Sequence, residues 1–308
     1  MTTGAGNGDH PSTVIWKEPY GPARASLVSE IEPCQVCGDV TLRFRHPWLR
    51  RCEECGVLSS IDPVLIPGQA AEAGIDEAAR STGLDPLRRR NNTRLLGALK
   101  RLKPPGRTLL DVGSGPGFLL NQAREAGFSA EGIEPDANTV GAARHGRFPD
   151  VLDPSETFDV IVFNDVLEHI PDLTGALAAS LHHLRPGGIL CLNCPDMRGL
   201  FYRVASAADR IGFSGPYDRL WQRGLPSPHV WYFTPALLTQ AATRTGFEPA
   251  ATLRLDTIEL MGLWSRIRAD RNTSIGVALT SYAFAAAVYP LSKVLPSDAT
   301  AGFFRKPV

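Results

Sequence analysis

Net charge is the first thing this 308-residue chain lacks, with 32 basic side chains against 32 acidic ones. A molecule without an overall field has no general means of attracting a polyanion, so nucleic acid is disfavoured as a partner. Basic residues do cluster locally, at Arg88, Arg89, Arg90, Arg94, Lys100, Arg101, Lys103 and Arg107, and read as a solvated helix face. Residues 1–10 are small and polar and lack the apolar core of a secretory signal, so residues 1–30 are expected to be a flexible tail. Long apolar runs are also missing. The longest uncharged stretch, Thr273 to Ser292, is interrupted by Ser274, Thr280, Ser281, Tyr282 and Pro290. It falls short of a spanning segment of about 20 apolar residues. The expectation is no transmembrane segment, a buried or lid helix there, and a cytoplasmic location.

Cysteine is scarce, six in all, and four of them fall together as Cys34-Gln35-Val36-Cys37-Gly38 and Cys52-Glu53-Glu54-Cys55-Gly56. Two Cys-x-x-Cys pairs at this separation suit tetrahedral thiolate coordination of zinc. A glycine after each pair permits a positive-φ turn that aims backbone N–H groups at the sulfurs. Two disulfides are the competing reading, disfavoured in a reducing compartment. Four thiolates leave no open coordination position, so the zinc is expected to be structural, in a ribbon over residues 31–62. Cys191 and Cys194 share the spacing but lie in Gly188–Cys194, which reads as a strand. Three residues apart on a strand, they face opposite sides and read as core.

Among the residues present, Leu109-Leu110-Asp111-Val112-Gly113-Ser114-Gly115-Pro116-Gly117 is the most informative run. An apolar strand ends in an acid and breaks into alternating glycines before a helix-like segment, the form of a loop where a ligand approaches the backbone. Around it, strand candidates (Arg107–Val112, Ser129–Ile133, Phe158–Phe163, Gly188–Cys194) alternate with helical ones (Pro86–Leu102, Pro116–Ala126, Asp136–Arg144, Asp172–Leu184). That alternation predicts an α/β fold with a parallel sheet covered on both faces and ligands at the carboxyl ends of its strands. Glu134 follows the second strand about twenty residues after the loop, where a carboxylate can take a ribose diol. A nicotinamide enzyme would space its glycines as Gly-x-Gly-x-x-Gly, and this chain does not.

In order, Asp111-Val112-Gly113-Ser114-Gly115-Pro116-Gly117, Glu134, Phe158-Asp159-Val160-Ile161, Leu167-Glu168-His169-Ile170-Pro171-Asp172 and Leu184-Arg185-Pro186-Gly187-Gly188 resemble the class I S-adenosylmethionine-dependent methyltransferases. The resemblance implies a Rossmann-like sheet of seven strands with the last, Ala299–Lys306, antiparallel. It further implies that Asp111, Gly113, Ser114, Gly115 and Gly117 cradle the methionine part of S-adenosylmethionine. Glu134 and Pro135 would lie at the ribose, Asp150 and Val151 near the adenine, and Asn164 and Asp165 beside the sulfonium. With the four-Cys module and Ser227-Pro228-His229-Val230-Trp231-Tyr232-Phe233-Thr234, the chain is similar to bacterial sugar and natural-product methyltransferases. In the carbon-methylating members a Glu precedes the equivalent of His229, and here Pro228 does.

The expected reaction is therefore O-methylation of a sugar or other small-molecule hydroxyl, glycosylated or lipid-linked acceptors included. Such a hydroxyl must lose a proton, and His is the usual base near neutral pH. His229 and His169 are the candidates, with Glu168 orienting His169 or capping backbone. C-methylation of a deoxysugar, an RNA methyltransferase with a zinc-binding N-terminus and a non-catalytic scaffold are the alternatives. The layout is read as a tail (1–30), the zinc ribbon (31–62), a linker and helical cap (63–106) and the methyltransferase domain (107–308). Residues 256–297 are a helical insertion that could serve as core, lid, the face of a homodimer or a membrane contact. Phe201, Tyr202, Phe213, Tyr217, Trp221, Trp231 and Tyr232 are candidates either for core or for lining the acceptor cavity.

Overall fold

The computed structural model describes residues 32–64, 76–136, 144–225, 227–269 and 273–308, the side chains of 77–81 apart. The expected tail and most of the helix expected over Asp136–Arg144 lie outside the described residues. Arg144 itself is in a strand. Residues 31–308 form one compact unit.

The chain begins with short strands β1 (Glu32–Pro33), β2 (Val40–Phe44), β3 (His46–Cys52) and β4 (Leu58–Ser60), then a long helix α1 (Glu77–Leu102). The α/β part follows as β5 (Thr108–Val112), α2 (Phe118–Glu125), β6 (Ser129–Glu134), β7 (Arg144–His145), β8 (Phe158–Asn164), α3 (Leu173–His183) and β9 (Leu184–Pro195). Next come α4 (Leu200–Arg210), α5 (Gly215–Leu220), β10 (Trp231–Tyr232), α6 (Pro235–Thr245) and β11 (Glu248–Leu255). Helices α7 (Leu263–Arg268) and α8 (Ile275–Val294) precede the last strand, β12 (Ala299–Arg305).

Seven strands form one sheet in the order β11-β12-β9-β8-β5-β6-β7. The five from β9 to β7 are parallel, and β12 runs antiparallel between β9 and β11, as the sequence led us to expect. Their apolar runs are continuous because helices cover both faces. On one face Leu95 and Leu99 of α1 and Leu119, Leu120 and Ala123 of α2 pack on Leu109, Val160 and Cys191. On the other, α3 and α6 pack on Leu110, Ile161, Leu192 and Cys194 together with Cys34, Val36, Cys52 and Val57. Cys191 and Cys194 thus occupy opposite faces. Chain order reverses between β5 and β8, which makes their tips the natural ligand crevice.

Local chemistry sets the helix ends near that crevice. Gly117 at φ +82° turns the glycine loop into α2. The Asp172 side chain caps α3 by accepting from the Gly175 N–H at 2.8 Å. Thr234 does the same for α6, with Pro235 in its first turn and Gly246 (φ +109°) closing it. Helix α1 starts nine residues before the expected Pro86 and carries that proline inside it. Its early turns cross α7 closely: a Cβ on Gly83 would stand 2.6 Å from the Arg266 backbone, and one on Gly262 would stand 2.5 Å from the Gly83 carbonyl. Tertiary packing there outweighs proline's local preference.

The four-Cys module is more than a ribbon on its own. Its sheet runs β1-β2-β3-β4-β10, closed by a strand contributed from 170 residues further along the chain. An aromatic cluster of Trp48, Tyr202, Tyr217, Trp221 and Tyr232 fills the space between this sheet and α4–α5. Of the seven aromatics proposed to line a cavity, Tyr202, Tyr217, Trp221, Trp231 and Tyr232 are core, while Phe213 is exposed. The basic stretch is also less free than expected. Arg90 pairs with Asp256 and Glu259, and Arg94 reaches Asp256, binding α1 to the segment before α7. Helix α8 is neither buried nor too short. It is the one helix among the described residues long and apolar enough to cross a membrane by length and composition, and Ala278 is its only buried residue.

Candidate functional site

The glycine loop at the tip of β5 is held from below, where Ile133 O accepts from the N–H groups of Gly113 (2.8 Å) and Ser114 (3.0 Å). Gly113, Gly115 and Gly117 all take positive φ, +70°, +50° and +82°. A Cβ on Gly113 would strike Val166 at 2.6 Å, so the loop abuts the segment after β8. A Cβ on Gly115 would meet nothing within 4 Å: the space above this loop is open. Across it, Glu134 accepts from the N–H groups of Gly115 (2.9 Å) and Asp136 (3.1 Å). A carboxylate offers about four acceptor positions, which leaves capacity for a diol. The Ser114 hydroxyl oxygen is buried without a hydrogen-bond partner. An open glycine cradle, an anchored carboxylate and an unsatisfied hydroxyl are what S-adenosylmethionine would need here, so the residues fit it.

Asp111 lies wholly buried beneath the loop, its carboxyl pushed up to about 8 by burial and by the charge of Glu134. Pro135 is half-buried next to Glu134. Of the pair expected near the adenine, Val151 packs toward Gly146, whose N–H donates to Glu134 O, whereas Asp150 is exposed. At the tip of β8, Asn164 and Asp165 are joined by Asn193 of β9, whose amide donates to Asn164 Oδ1 (2.9 Å) and Asp165 Oδ1 (3.0 Å). Asn164 in turn donates to Asn92 of α1 at 3.3 Å. Burial raises the Asp165 carboxyl, and Arg88 and Arg266 oppose that rise. Asn193, Asn92 and the two arginines were not expected at the site. An amide inside the apolar run of β9 was the one available signal.

Beyond Asp165 the chain makes a short 3₁₀ turn, Leu167–His169, that brings Glu168 and His169 against His229. One ligand atom from each lies within 4.8 Å of the others, a set that could hold a divalent cation. Glu168 is buried, and burial followed by the charge of Asp165 drives its carboxyl well above the usual range. His169 places Nδ1 2.9 Å from Pro228 O and 3.1 Å from the Ser227 hydroxyl. A carbonyl can only accept, so Nδ1 carries the proton and the basic lone pair of neutral His169 is on Nε2. His229 differs: the Gln222 amide donates to its Nε2 at 2.8 Å, which occupies that lone pair. Backbone bonds from Val230 N–H to Glu168 O (2.7 Å) and from His229 N–H to Trp221 O (3.0 Å) fasten the two segments together.

The four cysteines converge as expected. Cys34 and Cys55 sulfurs are 3.7 Å apart, Cys37 and Cys52 sulfurs 3.3 Å, and all four lie within 4.8 Å. Zinc–sulfur bonds of about 2.3 Å give tetrahedral edges of about 3.8 Å, so the set fits zinc. Gly38 and Gly56 take φ +89° and +75°. N–H groups of Val36 and Cys37 reach the Cys34 sulfur, and those of Glu54 and Cys55 reach that of Cys52. Burial opposes ionisation of Cys52, but these donors and the neighbouring thiols draw it down to about 7.

A family model for a methyltransferase domain matches residues 87–252. The ubiquinone biosynthesis O-methyltransferase of Paramagnetospirillum magneticum is 38% identical over 96 residues, 27% of this chain and 39% of that protein. The human mitochondrial ubiquinone biosynthesis O-methyltransferase is 28% identical over 192 residues, 56% of this chain and 49% of that protein. The matches thus span half or less of those relatives' own length. Among solved structures, a complex of a Haloferax volcanii methyltransferase with its Trm112 activator aligns with a TM-score of 0.50 at 15% identity, over 78% of this chain and 96% of that one. The family model spans more than half of the chain, and this chain's own fold carries the glycine loop, the acidic strand tip and, beyond the matched residues, the antiparallel last strand: the chain belongs to the methyltransferase-domain family, with the class I S-adenosylmethionine-dependent architecture.

Proposed function

We propose that this chain methylates a hydroxyl oxygen of a small molecule, with His169 as the base. The observation that carries the reading is the His169 tautomer. Pro228 O fixes the proton on Nδ1, one turn beyond the strand tip that faces the glycine loop. S-adenosylmethionine supplies an electrophilic methyl on a sulfonium, a leaving group that needs no further activation. What remains for the protein is to align the acceptor and take its proton. Gly113, Ser114, Gly115 and Gly117 with Glu134 would hold the donor, Asp111 supporting the loop from beneath. Asn164 and Asp165, braced by Asn193, would border the transferring group. Glu168 and His229 act as positioning residues, since the His229 lone pair is engaged by Gln222.

The names of the curated relatives support oxygen as the accepting atom, and Pro228 in place of a glutamate argues against carbon. The resemblance in the four-Cys module and the residues around His229 supports a sugar or natural-product hydroxyl. A phenol is the second reading, favoured by the relatives in ubiquinone biosynthesis. An RNA acceptor has less support, because Arg90 and Arg94 are engaged by Asp256 and Glu259. The test is methyl transfer to glycosides, phenols and RNA by the wild type and by His169→Ala and His229→Ala. His169→Ala should lower kcat by about 10²-fold or more with cofactor affinity kept, and His229→Ala by less. Wild-type turnover in His169→Ala would remove it as the base, and transfer to RNA alone would remove the small molecule.

A further inference from the structure

We propose that the insertion between β11 and β12 is a membrane-docking element, with α8 lying in the plane of an anionic bilayer surface. Helix α8 has no charged residue before Lys293 and leaves Ile275, Val277, Leu279, Phe284, Leu291 and Val294 exposed, Phe284 by 53% and Leu291 by 51%. At 100° per residue these six cover an arc of about 200°. A second helix would need only a narrow stripe, so the width favours lipid over another copy of the chain. Trp264 of α7 and Tyr282 of α8 meet edge to face at 6.0 Å, and Met261 beside them is 72% exposed. Aromatics with one polar end suit the boundary between acyl chains and water.

Among the described residues of the insertion, the exposed charged side chains are basic. The acids Asp256 and Glu259 are drawn inward by Arg90, Arg94 and Lys293. Arg266 and Arg268 of α7 lie at the surface, held in place by Thr257 O and Thr273 O, which accept from their guanidinium groups. Such a collar complements anionic headgroups.

The tethers decide that α8 lies on a membrane and does not pass through it. Leu255 pairs directly with Ala299, so the insertion leaves and rejoins the sheet at one point. Helix α7 is packed on α1 at the Gly83–Gly262 crossing. The six residues joining α7 to α8 let the two helix ends stand at most about 25 Å apart. That is short of the roughly 30 Å hydrocarbon layer. Both ends of α8 therefore stay on the protein's side.

The inference stands apart from the identity of the acceptor. Its test is co-sedimentation of the full chain with phosphatidylcholine vesicles containing about a quarter phosphatidylglycerol. The wild type should partition to the vesicles, less so in high salt and on pure phosphatidylcholine. The Phe284→Asp/Leu291→Asp double variant should lose at least about tenfold in partitioning. Unchanged S-adenosylmethionine affinity in the variant reports that it is folded and keeps this result separate from the reading of the active site. A wild type that stays in the supernatant, or a variant that binds as well as the wild type, overturns the proposal. So does a wild-type dimer that the variant dissociates while neither binds vesicles, because a second copy would then cover the face.

Discussion

Two glycines of one loop show how differently a single residue can matter. At Gly113 a methyl group meets Val166 at 2.6 and 2.9 Å and must also accept φ +70°. At Gly115 the angle is +50° and the space is open. Gly113→Ala should therefore destabilise the fold by about 3 kcal/mol, combining overpacking with left-handed strain. Gly115→Arg should cost only about 1 kcal/mol in strain while filling the donor's place. Thermal melts paired with cofactor titration separate the two. The expected pattern is a large drop in Tm for the first, and for the second a nearly native Tm with no measurable binding. Cofactor binding by Gly115→Arg at wild-type strength would mean the donor does not lie over this loop.

Between elements, the decisive junction is the two-residue strand β10. It pairs with β4 through Trp231–Ser59 and Tyr232–Leu58, and Ser60 N–H donates to Val230 O. The segment carrying His229 is thus the outer edge of the four-Cys sheet, whose thiolates are placed to hold zinc. Stripping zinc with a chelator should disorder that edge and release Pro228, and with it the tautomer of His169. Metal analysis should find one zinc per chain. Its removal should lower turnover far more than it lowers S-adenosylmethionine affinity, because the glycine loop and Glu134, proposed to hold the donor, do not touch that sheet. Equal loss of both would place the effect in global unfolding. The same junction explains what the sequence could reveal. Strands β5, β8 and β9 were legible as continuous apolar runs, and the loop and Glu134 as ordered motifs with a fixed chemical purpose. Strand β10 was not, because its partner lies 170 residues away and two residues carry no period. Gln222 and Ser227 were hidden for the same reason: their meaning comes from imidazoles brought near by tertiary structure. The exposure of α8 was invisible because composition does not distinguish a buried apolar helix from an uncovered one.

At the scale of the whole molecule, a net charge of zero conceals opposed populations of carboxyl groups. Asp111, Asp165, Glu168 and Asp298 are raised, chiefly by burial. Glu156 is lowered to about 2, first by its hydrogen bonds from Arg144, and Asp159 is lowered by Thr108 and Arg185 against its burial. A raised carboxyl keeps its proton in the folded chain after the unfolded chain has released it. Stability therefore falls as pH rises from the ordinary carboxylate range toward the folded value, about 8 for Asp111. Lowered groups act in the opposite direction: their contribution is present above the ordinary range and is lost as pH drops toward about 2 for Glu156. Stability should thus peak in mildly acidic solution and decline toward neutrality, by at most about 1.4 kcal/mol per pH unit for each raised group. Urea titrations from pH 5 to 8 measure the slope directly. Asp111→Asn keeps the volume and removes the proton exchange, so it should flatten that slope by up to one group's share, with its largest gain near pH 8. If the slope is unchanged in Asp111→Asn, the carboxyl is ionised in the folded chain. A charge beneath the glycine loop would then have to be balanced by a cation, and adding S-adenosylmethionine should stabilise the wild type more at pH 8 than at pH 5.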